Sequence, residues 1–561
     1  MARSSSPASM IPKALTLAFL LAATACSKPP EPPQNPPKPK TDNPSGMVLL
    51  PVAQPAANPA LADGGIAWRK GDVDAAFAAA KAANKPLFLY WGAVWCPPCN
   101  QVKATIFNRE DFIERSRYFI PVYIDGDSPG AQQLGSRFKV SGYPTMILFN
   151  ADGREITRLP GEVDADQYMR VLTMGMNGAR PVKDALAAAL SGDSGPATKP
   201  LATKLSPEDW RMLAYYSWDT DEQQLIGKDQ IAPTLERLAR SCPPEQRETA
   251  TRLDLRALAA AATAKGAKPH DDKVASERVT RVLTDDKMAR EDFDLLTNYA
   301  GDIAGYVTAP KSVQRGDLAK VWTAALARLA ADPTLSTADR LTALQAQVAL
   351  ARLDAPKNAP VPDALVKEVR DQVARADRET TDPYARQSVI STAAELLTDA
   401  GLLDDSDALL RAELKRSHSP YYFMLGLASN AKKRGDKVQA LDWYEKAYAA
   451  ADGPATRLQW GASYVNALVD LSPQDSARIE KAVLSVIGDI DATPATFYGR
   501  SQRSLDRIGK KLTTWNKDQQ HGASLARIRA QMATVCAKLP SGDPAHTTCE
   551  AVLSIRKGMK A

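Results

Sequence analysis

An unbroken apolar run, "PLFLYW" (residues 86–91), leads the chain straight into "GAVWCPPC" (92–99), where two cysteines stand two apart behind a tryptophan. Such a run, without polar alternation, suits a strand buried on both faces of a sheet. Helical spacing then runs from the cysteines toward Phe112, so a strand hands over to a helix at the first cysteine. Four uses of a CxxC compete here. A zinc site needs four ligands, and no second CxxC or histidine pair lies in this part of the chain; His270 and His418 are far away in sequence. A c-type haem site needs histidine after the second cysteine, where Asn100 stands. A purely structural disulfide at this spacing closes a tight ring and adds little loop entropy. A redox dithiol needs the first sulfur at the N-terminus of a helix that follows a strand, and that context favours it.

The surrounding residues extend the pattern into an α/β sandwich. "DAAFAAAKAANK" (74–85) is a helix candidate, "FIPVYID" (119–125) a second strand and "PGAQQLGSRF" (129–138) a short helix. "TMILFN" and "EITRLP" flank Asp152-Gly153, a two-residue hairpin signal, and "DADQYMRVLTMG" (164–175) closes as a helix. After "SGDSGPATKP" (191–200) strand signals cease, and helical spacing recurs in "DLAKVWTAALARLAA", "ALVKEVRDQVARA" and "QALDWYEKAYAAA". N-cap candidates such as Ser206-Pro207-Glu208-Asp209 and Ser472-Pro473-Gln474 break the runs. A chain of 561 residues exceeds one core, and the expected division is 1–25 leader, 26–62 tether, 63–180 α/β domain, 181–205 linker and 206–561 α-helical region.

The leader combines Arg3 and Lys13 with the apolar "ALTLAFLLAATA" (14–25), too short to span a bilayer and suited to an export signal. Its end carries two readings. "ATA" fits ordinary signal cleavage, while a small-residue triplet directly before Cys26 resembles the bacterial lipobox, in which Cys26 takes the lipid. Ser27 then resembles the outer-membrane sorting pattern, so the expected location is periplasmic, on a lipid anchor. The Pro-rich "KPPEPPQNPPKPK" has nothing to bury and reads as an extended spacer. Outside the cytoplasm disulfides persist, and Cys536 and Cys549, around the turn-rich "AKLPSGDPAHTT", form a candidate structural pair; Cys242 is left over.

Residues 68–175 resemble a thioredoxin-fold domain. "KPLFLYWGAVWCPPC" followed by "TIFNREDFI" is especially similar to the C-terminal domain of the thiol:disulfide interchange protein DsbD family, and "VSGYPTMILFNADGREITRLPG" matches the second half of the fold. The resemblance implies that Cys96 is the attacking thiolate and Cys99 the resolving one. It also implies a cis proline at Pro144 facing the dithiol, with Trp95, Tyr143 and Pro144 positioning the client. No cofactor and no metal are expected, and a membrane electron donor of DsbD type follows from the resemblance. One departure stands out: the family's acid six residues before the first cysteine is Tyr90 here, while Gln101 and Lys103 follow the motif where acids are frequent. Pro97 and Pro98 have no N–H for the Cys96 sulfur, so the thiolate gains little there and the couple is expected to be reducing.

"LASNAKKRGDKVQALDWYEKAYAAA" (427–451) resembles a tetratricopeptide repeat, with Gly435, Ala440, Tyr444 and Ala447 in order and Gly401 34 residues earlier. The expected role of the helical region is protein recognition. With four histidines and no phosphate loop or HExxH, hydrolase chemistry has no support. A net charge of +6 without a concentrated basic run argues against nucleic acid. The function expected is disulfide reduction or exchange in client proteins. The alternatives are an oxidase or isomerase, and a helical scaffold whose thioredoxin-like domain only binds.

Overall fold

The apolar run becomes β1 (Leu87–Gly92), with every residue buried. In the computed structural model, which describes residues 65–161, 163–191, 205–221, 224–356 and 359–553, β1 pairs in parallel with β2 (Ile120–Asp125) and antiparallel with β3 (Thr145–Phe149). β4 (Glu155–Leu159) flanks β3, giving the order β2-β1-β3-β4, and α4 (Ala131–Arg137) lies in the chain between β2 and β3. A parallel pair needs a crossover, and the residues after the CxxC supply it. The single helix expected there is two: α2 (Pro97–Val102), continued by a π turn over 103–107, and α3 (Glu110–Arg115). Arg109, extended at ψ 137°, makes the break, and Glu110 and Asp111 open α3. Gly153 takes φ +81° in the β3–β4 hairpin, where the Asn150 side chain accepts the amides of Asp152 and Arg154.

Alternation along β1 builds two cores. Leu87, Leu89 and Trp91 pack with α1 (Val73–Ala83). Phe88 and Tyr90 face the other way, into a cluster holding Tyr168 and Leu172 of α5 (Ala165–Met176) and also Trp210, Met212, Leu235 and Leu253 of the helical region. The sheet and the first C-terminal helices therefore share one core. Residues 182–191, placed in a linker by composition, form α6 (Val182–Ser191), which buries Val182, Ala185 and Leu186 in that same core. Arg158 on β4 is fully buried and donates to the carbonyls of Phe138, Lys139 and Thr220 as well as to Glu155. It ties the sheet edge to the turn that follows the helix Pro207–Ala214.

From Pro207 onward the described elements are all helical. Ser206 and Asp209 form a reciprocal capping box. Ser472 is not the N-cap expected: it is the C-cap of the helix Pro454–Leu471, its amide donating to the Leu468 carbonyl, and Asp475 caps the next helix by accepting from the Arg478 amide. Gly401 and Gly435, both at positive φ, follow the helices Pro383–Asp399 and Pro420–Arg434, and Ala440 and Ala447 are fully buried. None of the described helices is long and apolar enough to cross a membrane. The leader, Cys26 and the Pro-rich spacer lie outside the described residues.

Cys536 and Cys549 are joined by a disulfide, Cα–Cα 5.6 Å, linking the helices Gly522–Cys536 and Pro544–Ala551. Replacing both by alanine is expected to lower stability by about 3 kcal/mol, from the closed-loop entropy restored to the unfolded chain. A urea-unfolding midpoint unchanged from wild type counts against that. Cys242 is a buried free thiol, its pKa pushed up to about 11 by burial.

Candidate active site

Cys96 occupies the N-cap of α2, and its sulfur accepts the Cys99 amide at 3.2 Å. Pro97 and Pro98 fill the first turn, where a missing N–H costs no helical bond. The sulfur is thus not without a donor, as the two prolines alone suggest; Cys99 provides one. The structure holds the oxidised form, Cys96–Cys99, with Cα–Cα 5.2 Å. Asn100 clamps the loop, its Nδ2 donating to the carbonyls of Val94 (2.9 Å) and Cys96 (3.1 Å). The Tyr143–Pro144 bond is cis, and the Tyr143 carbonyl oxygen stands 3.7 Å from Cys96 Sγ. Trp95, Cys96, Cys99, Tyr143 and Pro144 therefore converge at the end of β1.

The helical region closes over this point. Cys96 is 3% exposed and Cys99 0%. Trp95 Nε1 donates to Thr456 Oγ1 at 2.8 Å, its carbonyl accepts from Gln387 Nε2, and Tyr422 and Trp460 pack on its ring. Gln101 donates to Asp339 at 2.5 Å and accepts from Ser388. Asp127, just past β2, accepts from the amide and hydroxyl of Thr456 (2.7 and 2.6 Å). A Cβ on Gly453 would come within 2.5 Å of the Asp127 carboxylate carbon, so that approach needs glycine. Trp95, expected to lie beside a client, instead packs on the chain's own helices.

His418, remote in sequence, comes within 3.0 Å of the Val94 carbonyl and packs on Tyr384. Lys103 Nζ sits over the rings of Tyr123 and Tyr384. Tyr90 stacks on Tyr123 and meets Phe107 edge-on, inside the aromatic core. Asp125, opposite Gly92 at the end of β2, is a largely buried carboxyl held above its ordinary pKa, first by burial and then by the Asp127 charge, against the Asp127 amide and Arg500. Gln387, Thr456, Asp127 and Arg500 are not among the residues expected at the site. Of these only Arg500 carries a signal, its place in an evenly spaced row of cations.

A buried strand that delivers two cysteines to a helix start, faced by a cis X-Pro loop on a mixed four-stranded sheet, defines a protein of the thioredoxin fold with a disulfide-exchange pair. The sequence model of the thioredoxin-like domain family matches residues 73–174. Over 101 residues, 18% of this chain, the protein is 31% identical to a thioredoxin of Mycobacterium bovis, covering 83% of it. Over 103 residues it is 29% identical to the thiol:disulfide interchange protein DsbD of Pseudomonas fluorescens, covering 18% of each chain. The chain thus spans under a fifth of the length of the DsbD relatives it matches. A solved thioredoxin from Thermus thermophilus aligns with 19% of the chain and 89% of its own, at 22% identity and TM-score 0.18. The chain belongs to the thioredoxin family.

Proposed function

We propose that the protein is an extracytoplasmic thiol:disulfide oxidoreductase that reduces or exchanges disulfides in client proteins, with Cys96 as nucleophile and Cys99 as resolving thiol. The observation that carries the reading is the placement of the Cys96 sulfur, at a helix N-cap, in receipt of the Cys99 amide and 3.7 Å from the Tyr143 carbonyl oxygen. In the reduced chain the Cys96 thiolate attacks a client disulfide, and one client sulfur leaves as thiolate. Cys99 then displaces the other client sulfur from Cys96 and restores the Cys96–Cys99 bond, so two electrons pass to the client. The export-type leader, with Cys26 as lipid site, supports action in the periplasm, and a membrane thiol donor of DsbD type would return the electrons. Helices packed on Trp95 give the helical region a part in client access.

The test is a Cys99→Ala chain expressed with its leader, which cannot resolve the mixed disulfide. Clients covalently held through Cys96, released by dithiothreitol, are the expected result. If nothing is captured while proteins still bind a Cys96→Ala chain, the thioredoxin-like domain is a binding module of a helical scaffold and the reading fails.

A further inference from the structure

Arg500, Arg503, Arg507 and Lys510 recur at spacings of three, four and three along the helix Gly499–Trp515. That spacing keeps all four on one face. That face is not wholly open to solvent. It forms a wall of a groove of about 610 Å³ whose other side is Trp95, Cys96, Pro97 and Pro98 with the loop Ser141–Tyr143. The inner cations are fixed by contacts with the dithiol domain. Arg500 lies 5.3 Å from the Trp95 ring centre and 5.0 Å from that of Tyr143, and its Nη1 donates to Gln459 at 3.0 Å. Arg503 Nη2 donates to the Ser141 carbonyl at 2.9 Å. Arg507 and Lys510, further along, are exposed.

Three carboxylates bear on this wall, the largely buried Asp125 acting on Arg500 among them. Asp506 lines the groove, and Asp127 stands 3.5 Å from Arg500. The balance stays positive. Partial desolvation at its base and then the Arg503 charge lower the basicity of Arg507, a cost that an incoming anion offsets. The opening on the far side of the motif is of opposite character: Pro97 and Pro98 face Asp339 and Glu395 there, Cys96 is not part of its lining, and burial raises both acids' pKa. With Trp95 locked and Cys99 fully covered, the basic groove is an opening that reaches the Cys96 residue.

We propose that this groove selects the client: it takes an extended peptide segment with acidic side chains beside the reacting cysteine, and Arg503, Arg507 and Lys510 read those acids. This deepens, and rests on, the disulfide-exchange reading above. The dimensions favour a peptide over a small disulfide. Arg500 to Lys510 spans about 15 Å of helix at a rise of about 1.5 Å per residue. That length matches four to five residues of extended chain at about 3.3 Å each. Charge complementarity in a low-dielectric cleft acts mainly on the encounter rate.

The experiment uses the reduced full chain in single turnover against three peptides of one length. Each carries one cysteine capped as a disulfide with uncharged thiopyridine and flanked by Asp, Asn or Lys. Cys96 attacks the peptide sulfur, thiopyridone leaves with the bonding pair and takes a proton from water, and its absorbance reports the rate. At about 0.01 M salt the Asp peptide is expected to react about tenfold or more faster than the Lys peptide, and the difference should collapse by about 0.5 M salt. An Arg507→Glu/Lys510→Glu chain is expected to reverse the order. Equal rates for all three peptides at low salt, or an order unmoved by salt and by the charge reversal, overturn the proposal while leaving disulfide exchange standing. Glutathione disulfide outpacing the Asp peptide overturns the peptide assignment. No reaction with any of the peptides or with glutathione overturns disulfide exchange, and the selection with it.

Discussion

A Cys96→Ala chain is expected to lose disulfide exchange altogether, a fall on the order of 10⁴-fold or more in the rate with any disulfide substrate. Three features make the loss complete. The attacking species is a thiolate, and alanine offers nothing in its place. The other sulfur is no substitute, because Cys99 is 0% exposed and sits one turn into α2, behind the prolines. Cys242 is buried in a different core, and its thiol, pushed up to about 11, holds almost no thiolate at neutral pH. The measurement is single-turnover thiopyridone release by the reduced chain, with Cys99→Ala run beside it. Cys99→Ala should give one stoichiometric release and then stop at the mixed disulfide; Cys96→Ala should give none. Full release from Cys96→Ala would place the nucleophile elsewhere.

The thioredoxin part was legible because its signals are local. β1 shows itself by an apolar run, the hairpin by Asp152-Gly153, and the dithiol by its place between strand and helix. The break at Arg109 was not legible, since apolar spacing continues through Phe107 and Phe112 and only the backbone shows the interruption. Composition hid α6: "DALAAAL" is weakly amphipathic and lies close to Gly/Pro/Ser-rich residues, yet Val182 and Leu186 reach the sheet core. The docking of the helices on the dithiol was the largest gap. Gln387 and Thr456 meet Trp95 across 292 and 361 residues, and single Gln and Thr residues carry no pattern. The basic wall had a signal that a search for contiguous Lys/Arg misses, namely three- and four-residue spacing along one helix. Tyr90 was correctly read as a non-acid, but where a proton would go instead was not readable. Asp125, a largely buried carboxyl with a raised pKa, ends β2 without any motif around it.

An Arg252→Met chain is expected to lose about 3–5 kcal/mol of stability, the cost of leaving buried carboxylates without their cation. Arg252, fully buried on the helix Arg247–Ala262, donates to Asp292 Oδ1 at 2.8 Å and grips Asp294 with both nitrogens at 3.0 and 2.7 Å. Its guanidinium also lies 4.1 Å from the Tyr215 ring centre. Methionine keeps most of the stem and its packing, so the loss reports the charge. The cluster joins the turn after Pro207–Ala214 to the start of Phe293–Asn298, and neighbouring Leu253 packs in the core shared with the sheet, so loosening here reaches the thioredoxin part. The pH dependence has a definite sign. Burial pushes the Asp292 carboxyl up to about 6 even with Arg252 opposing it, above its unfolded value near 3.8. The folded chain therefore binds this proton more tightly than the unfolded one, and acidification through that window favours folding. Removing Arg252 raises the folded Asp292 pKa further and widens the window upward, so the deficit of Arg252→Met should be largest near pH 8 and shrink toward pH 5. Urea midpoints at the two pH values measure it, and Arg252→Met with Asp292→Asn and Asp294→Asn should recover part of the loss at pH 8. A deficit that grows on acidification would mean that the carboxylates find other cations in the variant, and that Arg252 stabilises by packing on Tyr215 rather than by charge.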